Sequence, residues 1–347
     1  MRPSVDVVVV GGGQAGLATS FYLKRAGIDH VVLDAEQGPG GAWRHTWDSL
    51  RLFSPAVHSS LPGWQMPSTS DPEGYPDADH VLDYLTRYEK RYELPVHRPV
   101  TVEQVTRTRS GFRVVTDQGQ VESRAVVLAT GTWTRPFVPA YPGASNFAGR
   151  QLHSSVYRGP QDLHGQRVVV VGGANSGAQI AAELVEAVDL TWCTLDDPRY
   201  LPDDVDGREL FRVASARVRG EGEGVGGLGD IVAVPPVRRA RDELGLRAER
   251  MFARFTPDGV EWDDGRAQEV DVVIWCTGFR PALQPLSSLD VPRADGVIQT
   301  DGPVVRGVPG LYLVGYGDWT GAASATLIGV GQWAKAAVTD LQEQLAR

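Results

Sequence analysis

The sequence predicts an α/β fold in which one parallel-sheet unit is inserted into another, and three observations predict it. An apolar β-branched run leads into a glycine-rich turn and a helical segment at residues 5–26. The same order of run, turn and helix returns at residues 168–185. A third strand pattern, at residues 310–318, ends in an acid and precedes a final helical stretch, as expected if the chain re-enters its first unit.

The length agrees with this organisation. At about 150 residues per domain, a chain of 347 residues is expected to hold about two domains. Each unit has the strand, turn and helix order of a Rossmann-like, dinucleotide-binding domain. We expect residues 1–157 to form the first part of the outer, FAD-binding unit, residues 158–277 the inserted NAD(P)H-binding unit, and residues 278–347 the second part of the outer unit.

Charge and cysteine content exclude several classes of protein. The 34 Lys and Arg residues against 43 Asp and Glu residues leave a formal net charge of −9, which disfavours nucleic acid or a membrane surface as the main partner. No apolar run approaches the ~20 residues that span a bilayer, and residues 1–6 show no signal sequence, so a cytoplasmic location is expected. Cys193 and Cys276 form neither a CxxC pair nor a metal cluster, so no metal site is predicted.

The first glycine-rich turn has the spacing of a dinucleotide site. Gly11 permits the tight turn, Gly13 lets the backbone approach a pyrophosphate, and Gly16 allows close packing of helix on strand. Asp34 ends the next strand, where a carboxylate would accept hydrogen bonds from an adenosine ribose. The other neighbouring residues expected to contact this nucleotide are Gln14, Ala15 and Ala35.

The second glycine-rich turn predicts a nicotinamide dinucleotide site. Its middle position is Ala174, whose methyl group keeps the backbone further from a pyrophosphate than glycine would. After the next strand, Asp196 would repel a 2′-phosphate and no arginine precedes Arg199, so NADH should be accepted at least as well as NADPH. The alternative for Asp196 and Asp197 is a helix-capping loop ahead of a proline. The expected contact residues are Gly172, Gly173, Asn175, Ser176, Gly177, Thr194 and Asp196.

The crossings between the two units and the C-terminal segment complete the expected cofactor sites. Each crossing follows a strand and carries a Thr-Gly pair, at residues 130–131 and 277–278. Asp318 ends the last strand and could bind the ribityl chain of a flavin, while the following helix N-terminus could point at the flavin pyrimidine end. The alternative for Asp318 is a helix cap. The expected contacts in these segments are Thr130, Gly131, Thr277, Gly278, Asp318, Ala325 and Thr326.

Residues 147–157 carry a pattern that resembles a known family. Phe147, Gly149, His153 and Tyr157 fit the fingerprint FxGxxxHxxx(Y/F) of class B flavin-dependent monooxygenases. The segments 40–43, 48–55 and 59–64 look like those of small bacterial flavin-containing monooxygenases that accept NADH or NADPH, a group neighbouring the flavoproteins of arsenical-resistance operons. The resemblance implies FAD, NADH or NADPH, O2 and a small-molecule substrate, with sulfoxidation or Baeyer-Villiger oxidation of ketones through a flavin C4a-(hydro)peroxide.

The catalytic candidates lie in an aromatic stretch that could exclude water from a flavin. By resemblance, Phe53 sits against the isoalloxazine ring, and Ser54 and His58 are nearby polar groups, of which His58 could donate a proton. The alternative for His58 is a plain hydrogen-bonded side chain, and for Trp47 and Trp64 it is core packing. Further FAD contacts are expected from Gly41, Trp43, Arg44 and Ser54.

Several alternatives stay open at this stage. The larger flavin-containing monooxygenases that this chain resembles share an active-site asparagine. The two asparagines here, Asn146 and Asn175, lie outside residues 40–67, so the chain departs from that pattern. One alternative function is an NAD(P)H reductase that passes electrons to a quinone or a ferredoxin-like acceptor. Another is a flavin-binding redox sensor. Homodimer formation is also open, and the glycine-rich segment 217–230 is either a lid or a surface loop.

Overall fold

The computed structural model describes residues 3–71, 73–203 and 230–346. The segment 204–208 and nearly all of the glycine-rich segment 217–230 lie outside these ranges. The helices are α1 Gln14–Arg25, α2 Ala78–Arg91, α3 Asn175–Leu184, α4 Pro235–Asp242 and α5 Leu327–Leu345. The strands are β1 Ser4–Val10, β2 His30–Leu33, β3 Val96–His97, β4 Val102–Arg107, β5 Phe112–Thr116, β6 Gly119–Leu128, β7 Arg150–His153, β8 Arg167–Val171, β9 Asp189–Thr194, β10 Ala248–Arg250, β11 Arg254–Thr256, β12 Gly259–Glu261, β13 Ala267–Glu269, β14 Val272–Trp275, β15 Arg293–Ala294, β16 Val297–Ile298, β17 Thr300–Asp301, β18 Val304–Val305 and β19 Leu311–Leu313.

The first sheet contains strands from both ends of the chain. Its main order is β17-β18-β19-β6-β1-β2-β3, with β4 and β5 added through β6. The strands β19, β6, β1, β2 and β3 are parallel to their neighbours, and Leu313 pairs with Leu128. The C-terminal strand therefore returns to the sheet that the N-terminal strand began, as predicted.

The second sheet is parallel and is built from the middle of the chain. Its order is β10-β9-β8-β14-β7, and every pair in it is parallel. Helices α3 and α4 pack together and, with β8, enclose one hydrophobic cluster. The α/β prediction with two dinucleotide-binding units, one inserted in the other, is confirmed. Strand β7 lies in this second sheet, whereas the predicted boundary at residue 157 assigns it to the first unit. The boundary itself stays a prediction.

The helices after both glycine-rich turns begin earlier than their apolar patterns indicate. The sequence predicts helices at 17–26 and from 178, whereas α1 and α3 begin at Gln14 and Asn175. The first turn of each helix contains polar and small residues, several of them buried, so the run of large apolar side chains begins only after the helix has started. Within 3–71, 73–203 and 230–346, no helix is both long enough and apolar enough to cross a membrane.

Candidate cofactor and active site

The first turn is shaped by glycines that no other residue could replace. Gly11 has a φ of +105°, and a Cβ there would lie 2.5 Å from the Ala129 carbonyl oxygen. A Cβ on Gly16 would lie 1.8 Å from the Gly11 carbonyl oxygen. Gly13 precedes α1 and has no side chain to cap it, so the first N–H groups of the helix can face an anion. The turn has the form that a pyrophosphate site needs.

Asp34 lies beside this turn in a buried ion cluster. A Cβ on Gly12 would lie 2.5 Å from Asp34 Oδ2, so the carboxylate borders the glycine backbone. Arg98 Nε donates to the same oxygen over 3.0 Å, and its two other nitrogens donate to Glu89 over 2.7 and 2.8 Å. The side chains of Asp34 and Arg98 are 6% and 11% exposed. The sequence analysis missed Arg98 and Glu89, because nothing in their spacing connects them with Asp34.

A second group of predicted residues meets around Gln14. Gln14 Nε2 donates to the Ala325 carbonyl over 2.7 Å, and Trp43 Nε1 donates to Gln14 Oε1 over 3.1 Å. A Cβ on Gly41 would lie 2.8 Å from the Gly13 Cα, so these two backbones face each other without side chains between them. The structure thus brings Gly13, Gln14, Gly41, Trp43 and Ala325 together, and this glycine-lined approach fits the phosphate end of FAD.

Three further residues of the predicted FAD site have local bonding roles. The Thr130 hydroxyl bonds with the Tyr316 hydroxyl at 2.6 Å and donates to the Ala282 carbonyl over 2.6 Å. Asp318 is exposed and accepts from the Ala323 N–H over 3.3 Å. Thr326 caps α5 by accepting from the Gly329 N–H. The N-cap of α5 is therefore Thr326 and not Asp318, and flavin contacts by these residues stay predictions.

Ala35 and Arg44 belong to a loop that follows Asp34. Arg44 Nη1 donates to the Pro39 carbonyl over 3.2 Å, and its Nε lies 3.8 Å from Glu36 Oε2. His45 Nε2 lies 2.7 Å from the other Glu36 oxygen. Glu36 therefore draws both basic side chains toward the end of β2. A contact of Ala35 or Arg44 with FAD stays a prediction.

The second turn repeats the geometry of the first. Gly172 has a φ of +136°, and a Cβ there would lie 2.4 Å from the Cys276 carbonyl oxygen. A Cβ on Gly177 would lie 2.1 Å from the Gly172 carbonyl oxygen. A Cβ on Gly173 would lie 3.3 Å from Thr194 Cγ2, so Thr194 borders the turn as Asp34 borders the first. The second unit therefore has the same kind of nucleotide cradle.

Asn175 has a structural role at this turn. Its Nδ2 donates to the Asp230 carbonyl over 3.2 Å, and its Oδ1 accepts from the Val232 N–H over 2.9 Å. These bonds hold the start of α3 to the segment that leads into α4. Ser176, next in the chain, is half-buried on the first turn of α3. Nucleotide contacts by Asn175 and Ser176 stay predictions.

The end of β9 shows which charges surround the expected ribose position. Asp196 is exposed, and Arg199 Nη2 pairs with Asp230 Oδ1 over 2.8 Å. Arg250, an exposed residue of β10, pairs in register with Thr194. The sequence analysis missed Arg250, because strand neighbours 56 positions apart become visible only in the sheet. The end of β9 and its neighbour β10 therefore carry one exposed acidic side chain, Asp196, and one exposed basic side chain, Arg250.

The catalytic candidates lie in one stretch between the units. Phe53 is half-buried and packs against the hydrophobic cluster of the second unit. Ser54 is buried, and its carbonyl accepts from the Ser59 hydroxyl over 3.2 Å. His58 ends a short 3-10 turn and is half-buried. The three residues lie within positions 53–58 of one loop. Their catalytic roles stay predictions.

The two tryptophans with a packing alternative lie on different units. Trp47 is 3% exposed within the second unit's cluster, and its ring meets Tyr157 edge-on at 6.1 Å between centroids. The Trp64 ring lies 5.1 Å from that of Tyr84, with Arg87 over its face. These contacts favour core packing for both.

The two crossings run side by side. Phe137 N donates to the Gly278 carbonyl over 2.9 Å, and Ala282 N donates to the Gly131 carbonyl over 2.9 Å. His153 Nδ1 accepts from the Ser155 N–H, so its Nε2 carries the proton and donates to the Gly278 carbonyl over 2.9 Å. Burial lowers the pKa of His153, which keeps this neutral form. His153 therefore orders the crossing.

Two glycine-built nucleotide cradles of the same geometry, one in each parallel sheet and joined by paired crossings, define a two-dinucleotide oxidoreductase. The chain belongs to the pyridine nucleotide-disulphide oxidoreductase family, whose profile matches residues 8–200. The cofactors predicted from the two turns, FAD and NAD(P)H, are confirmed for this class of enzyme.

Comparison with individual proteins gives three further findings. A flavin-containing monooxygenase from Stenotrophomonas maltophilia has 48% sequence identity and a TM-score of 0.91, with 99% of this chain and 100% of that chain covered. An uncharacterized CzcO-like oxidoreductase of Geobacillus kaustophilus is 32% identical over 91% of this chain and 92% of its own length. An indole-3-pyruvate monooxygenase of Oryza sativa is 26% identical over 89% of this chain and 86% of its own length. The resemblance noted in the sequence is confirmed.

Proposed function

We propose that the protein is an FAD-dependent monooxygenase that uses NADH or NADPH and O2 to oxygenate small molecules, with sulfides and ketones as substrates. The observation that carries this is the 48% identity with the Stenotrophomonas enzyme over 99% of the chain. The balanced reaction consumes one NAD(P)H, one proton and one O2 per substrate and releases NAD(P)+, water and the oxygenated product. Homodimer formation and a cytoplasmic location stay predictions from the sequence.

The chain's own residues supply binding, orientation and shielding. The first turn and Asp34 would hold the pyrophosphate and ribose of FAD, and the second turn would hold the nicotinamide nucleotide. FAD, when bound, supplies the hydride acceptor and the O2 chemistry. The half-buried Phe53 would border the reacting centre and exclude water from it. We assign His58 as the candidate proton donor.

The function is tested by supplying oxygen-18-labelled O2, NADH and methyl phenyl sulfide to the purified FAD-loaded protein. In coupled turnover, one NADH is consumed for each sulfoxide molecule formed. We expect that molecule to carry one labelled oxygen atom. The protein could instead consume NADH and reduce an added quinone, and form no labelled product from the sulfide or from a ketone. That result would replace the proposal with the reductase alternative. Negligible NADH consumption in air would favour a redox sensor.

The two cysteines should be unreactive in the native protein. Burial raises the pKa of Cys193 and of Cys276 to about 12. At pH 8 roughly one thiol in ten thousand would then be ionised, and the thiolate is the reactive form. We expect Ellman's reagent to detect both thiols only after unfolding in guanidinium. Fast reaction of either thiol in the folded protein would revive dithiol chemistry.

The charge at Asp196 should set the nucleotide preference. Wild-type protein is expected to use NADH at least as well as NADPH. Asp196→Ser should raise kcat/KM for NADPH by about fivefold and leave that for NADH nearly unchanged, since removing one like-charge repulsion near a surface is worth about 1 kcal/mol. Asp263→Ser, at another exposed aspartate, serves as the matched control. A preference of wild-type protein for NADPH by a hundredfold would refute the assignment.

A further inference from the structure

One buried side chain of the second unit satisfies both backbone polar groups of a residue in the first. Gln179 lies on α3, one turn after the second glycine-rich turn, and is 8% exposed. Its Oε1 accepts from the Arg51 N–H over 3.0 Å, and its Nε2 donates to the Arg51 carbonyl over 3.0 Å. The two residues are 128 positions apart in sequence. Gln179 thus bonds the Arg51 backbone as a neighbouring strand would.

The bonded residue begins the stretch that carries the catalytic candidates. Phe53 and Ser54 follow Arg51 by two and three positions. The next backbone group, the Leu52 N–H, donates instead to the Pro76 carbonyl over 2.9 Å. We call residues 47–54 the bridging segment, because they belong to the first unit in sequence and pack on the second through Trp47 and Phe53.

Only a side-chain amide of this length can make both bonds. An ionised glutamate at position 179 can accept from the Arg51 N–H but cannot donate to its carbonyl, and an alanine reaches neither group. A buried backbone group left without its partner destabilises the segment. The segment would then shift or admit water, and with it the ring of Phe53.

We propose that Gln179 is a positioning residue for hydride transfer. Through the Arg51 backbone it fixes Phe53 and Ser54 relative to α3, the helix whose N-terminus faces the nicotinamide nucleotide. Transfer between two bound nucleotides requires the reacting atoms within about 3–3.5 Å, and a displacement of about 1 Å can lower the rate a hundredfold. The inference rests on the proposed binding of FAD and NAD(P)H at the two turns.

The first test measures the backbone of the bridging segment without any cofactor. Hydrogen exchange of peptides covering residues 47–55 is compared in FAD-free wild-type, Gln179→Ala, Gln179→Glu and Gln344→Ala proteins. Gln344 is the matched control, because it is also a helical glutamine with a bonded amide, on α5 and far from Arg51. We expect faster exchange in both Gln179 variants and wild-type exchange in Gln344→Ala.

The second test measures the geometry that the segment maintains. Anaerobic reduction of the bound flavin by saturating NADH is followed in the same four proteins. We expect the limiting rate to fall about tenfold in Gln179→Ala, which makes neither bond, and less in Gln179→Glu, which keeps the bond from the Arg51 N–H. FAD content and the Kd for NADH should change less than twofold. If Gln179→Ala fails to fold, Gln179→Glu decides the question.

The outcomes separate this inference from the proposed function. Faster exchange with an unchanged limiting rate would show that Gln179 stabilises the fold alone, and would overturn the inference while leaving the monooxygenase intact. Wild-type protein that reduces its flavin but makes no labelled product would defeat the proposed function. The inference would survive that result, because it concerns hydride transfer and not oxygenation.

Discussion

Gly16→Ala should yield a protein that retains no FAD, whereas Gly177→Ala should retain FAD and fail to be reduced by NADH. The added Cβ atoms would lie 1.8 Å from the Gly11 carbonyl oxygen and 2.1 Å from the Gly172 carbonyl oxygen. Both contacts involve backbone, so relief requires opening the turn that forms the nucleotide cradle. The flavin absorbance of the purified protein measures FAD retention, and anaerobic bleaching by NADH measures use of the second site.

Gly296→Ala is the control for the general cost of losing a glycine. Gly296 has a φ of +79° and open space where a Cβ would stand. A residue in this conformation costs about 1–2 kcal/mol relative to glycine. We expect it to lower stability slightly and to keep both FAD and reduction by NADH. Wild-type reduction of Gly177→Ala would contradict the assignment of the second turn to the nicotinamide nucleotide.

The two turns could be predicted from sequence because their chemistry is local. A strand, three small residues at fixed spacing and a helix follow one another directly. The first and last glycines of each turn are required by a backbone contact within the same motif or beside the neighbouring strand. The return of the chain to its first sheet was also predictable, because a unit inserted into another makes the chain re-enter the first. The last strand, however, ends at Leu313 and not at Asp318 as predicted. These predictions used spacing of a few residues only.

The rest depends on contacts between distant segments. Gln179 and Arg51 meet although 128 positions separate them, and no periodicity in either segment predicts that contact. Arg250 reaches the edge of the nicotinamide site through strand register. Core packing was an alternative for Trp47 in the sequence, but the sequence did not show that its ring would pack in the hydrophobic cluster of the second unit. Pairings of this kind follow from the tertiary structure, which a single sequence does not display.

Arg98→Met should be the most destabilising substitution in the first unit that leaves the glycine turns intact. The side chains of Asp34 and Glu89 are 6% and 18% exposed, and the arginine donates to both. Removing it leaves two buried carboxylates without their shared cation. Loss of one partner from a buried ion pair typically costs about 3–5 kcal/mol, because the remaining charge is neither solvated nor neutralised.

The measurement is urea unfolding of the FAD-free protein, so that a lost cofactor does not add to the result. Arg98→Lys should be intermediate, because one ammonium cannot reproduce the three N–H bonds that the guanidinium makes to two carboxylates. Arg113→Met removes a more exposed pair with Glu122 and should cost less than about 1 kcal/mol. The FAD Kd is then measured for variants that still fold. A weaker Kd in Arg98→Lys would tie the cluster to the ribose contact of Asp34, and an unchanged Kd would limit Arg98 to stabilising the fold.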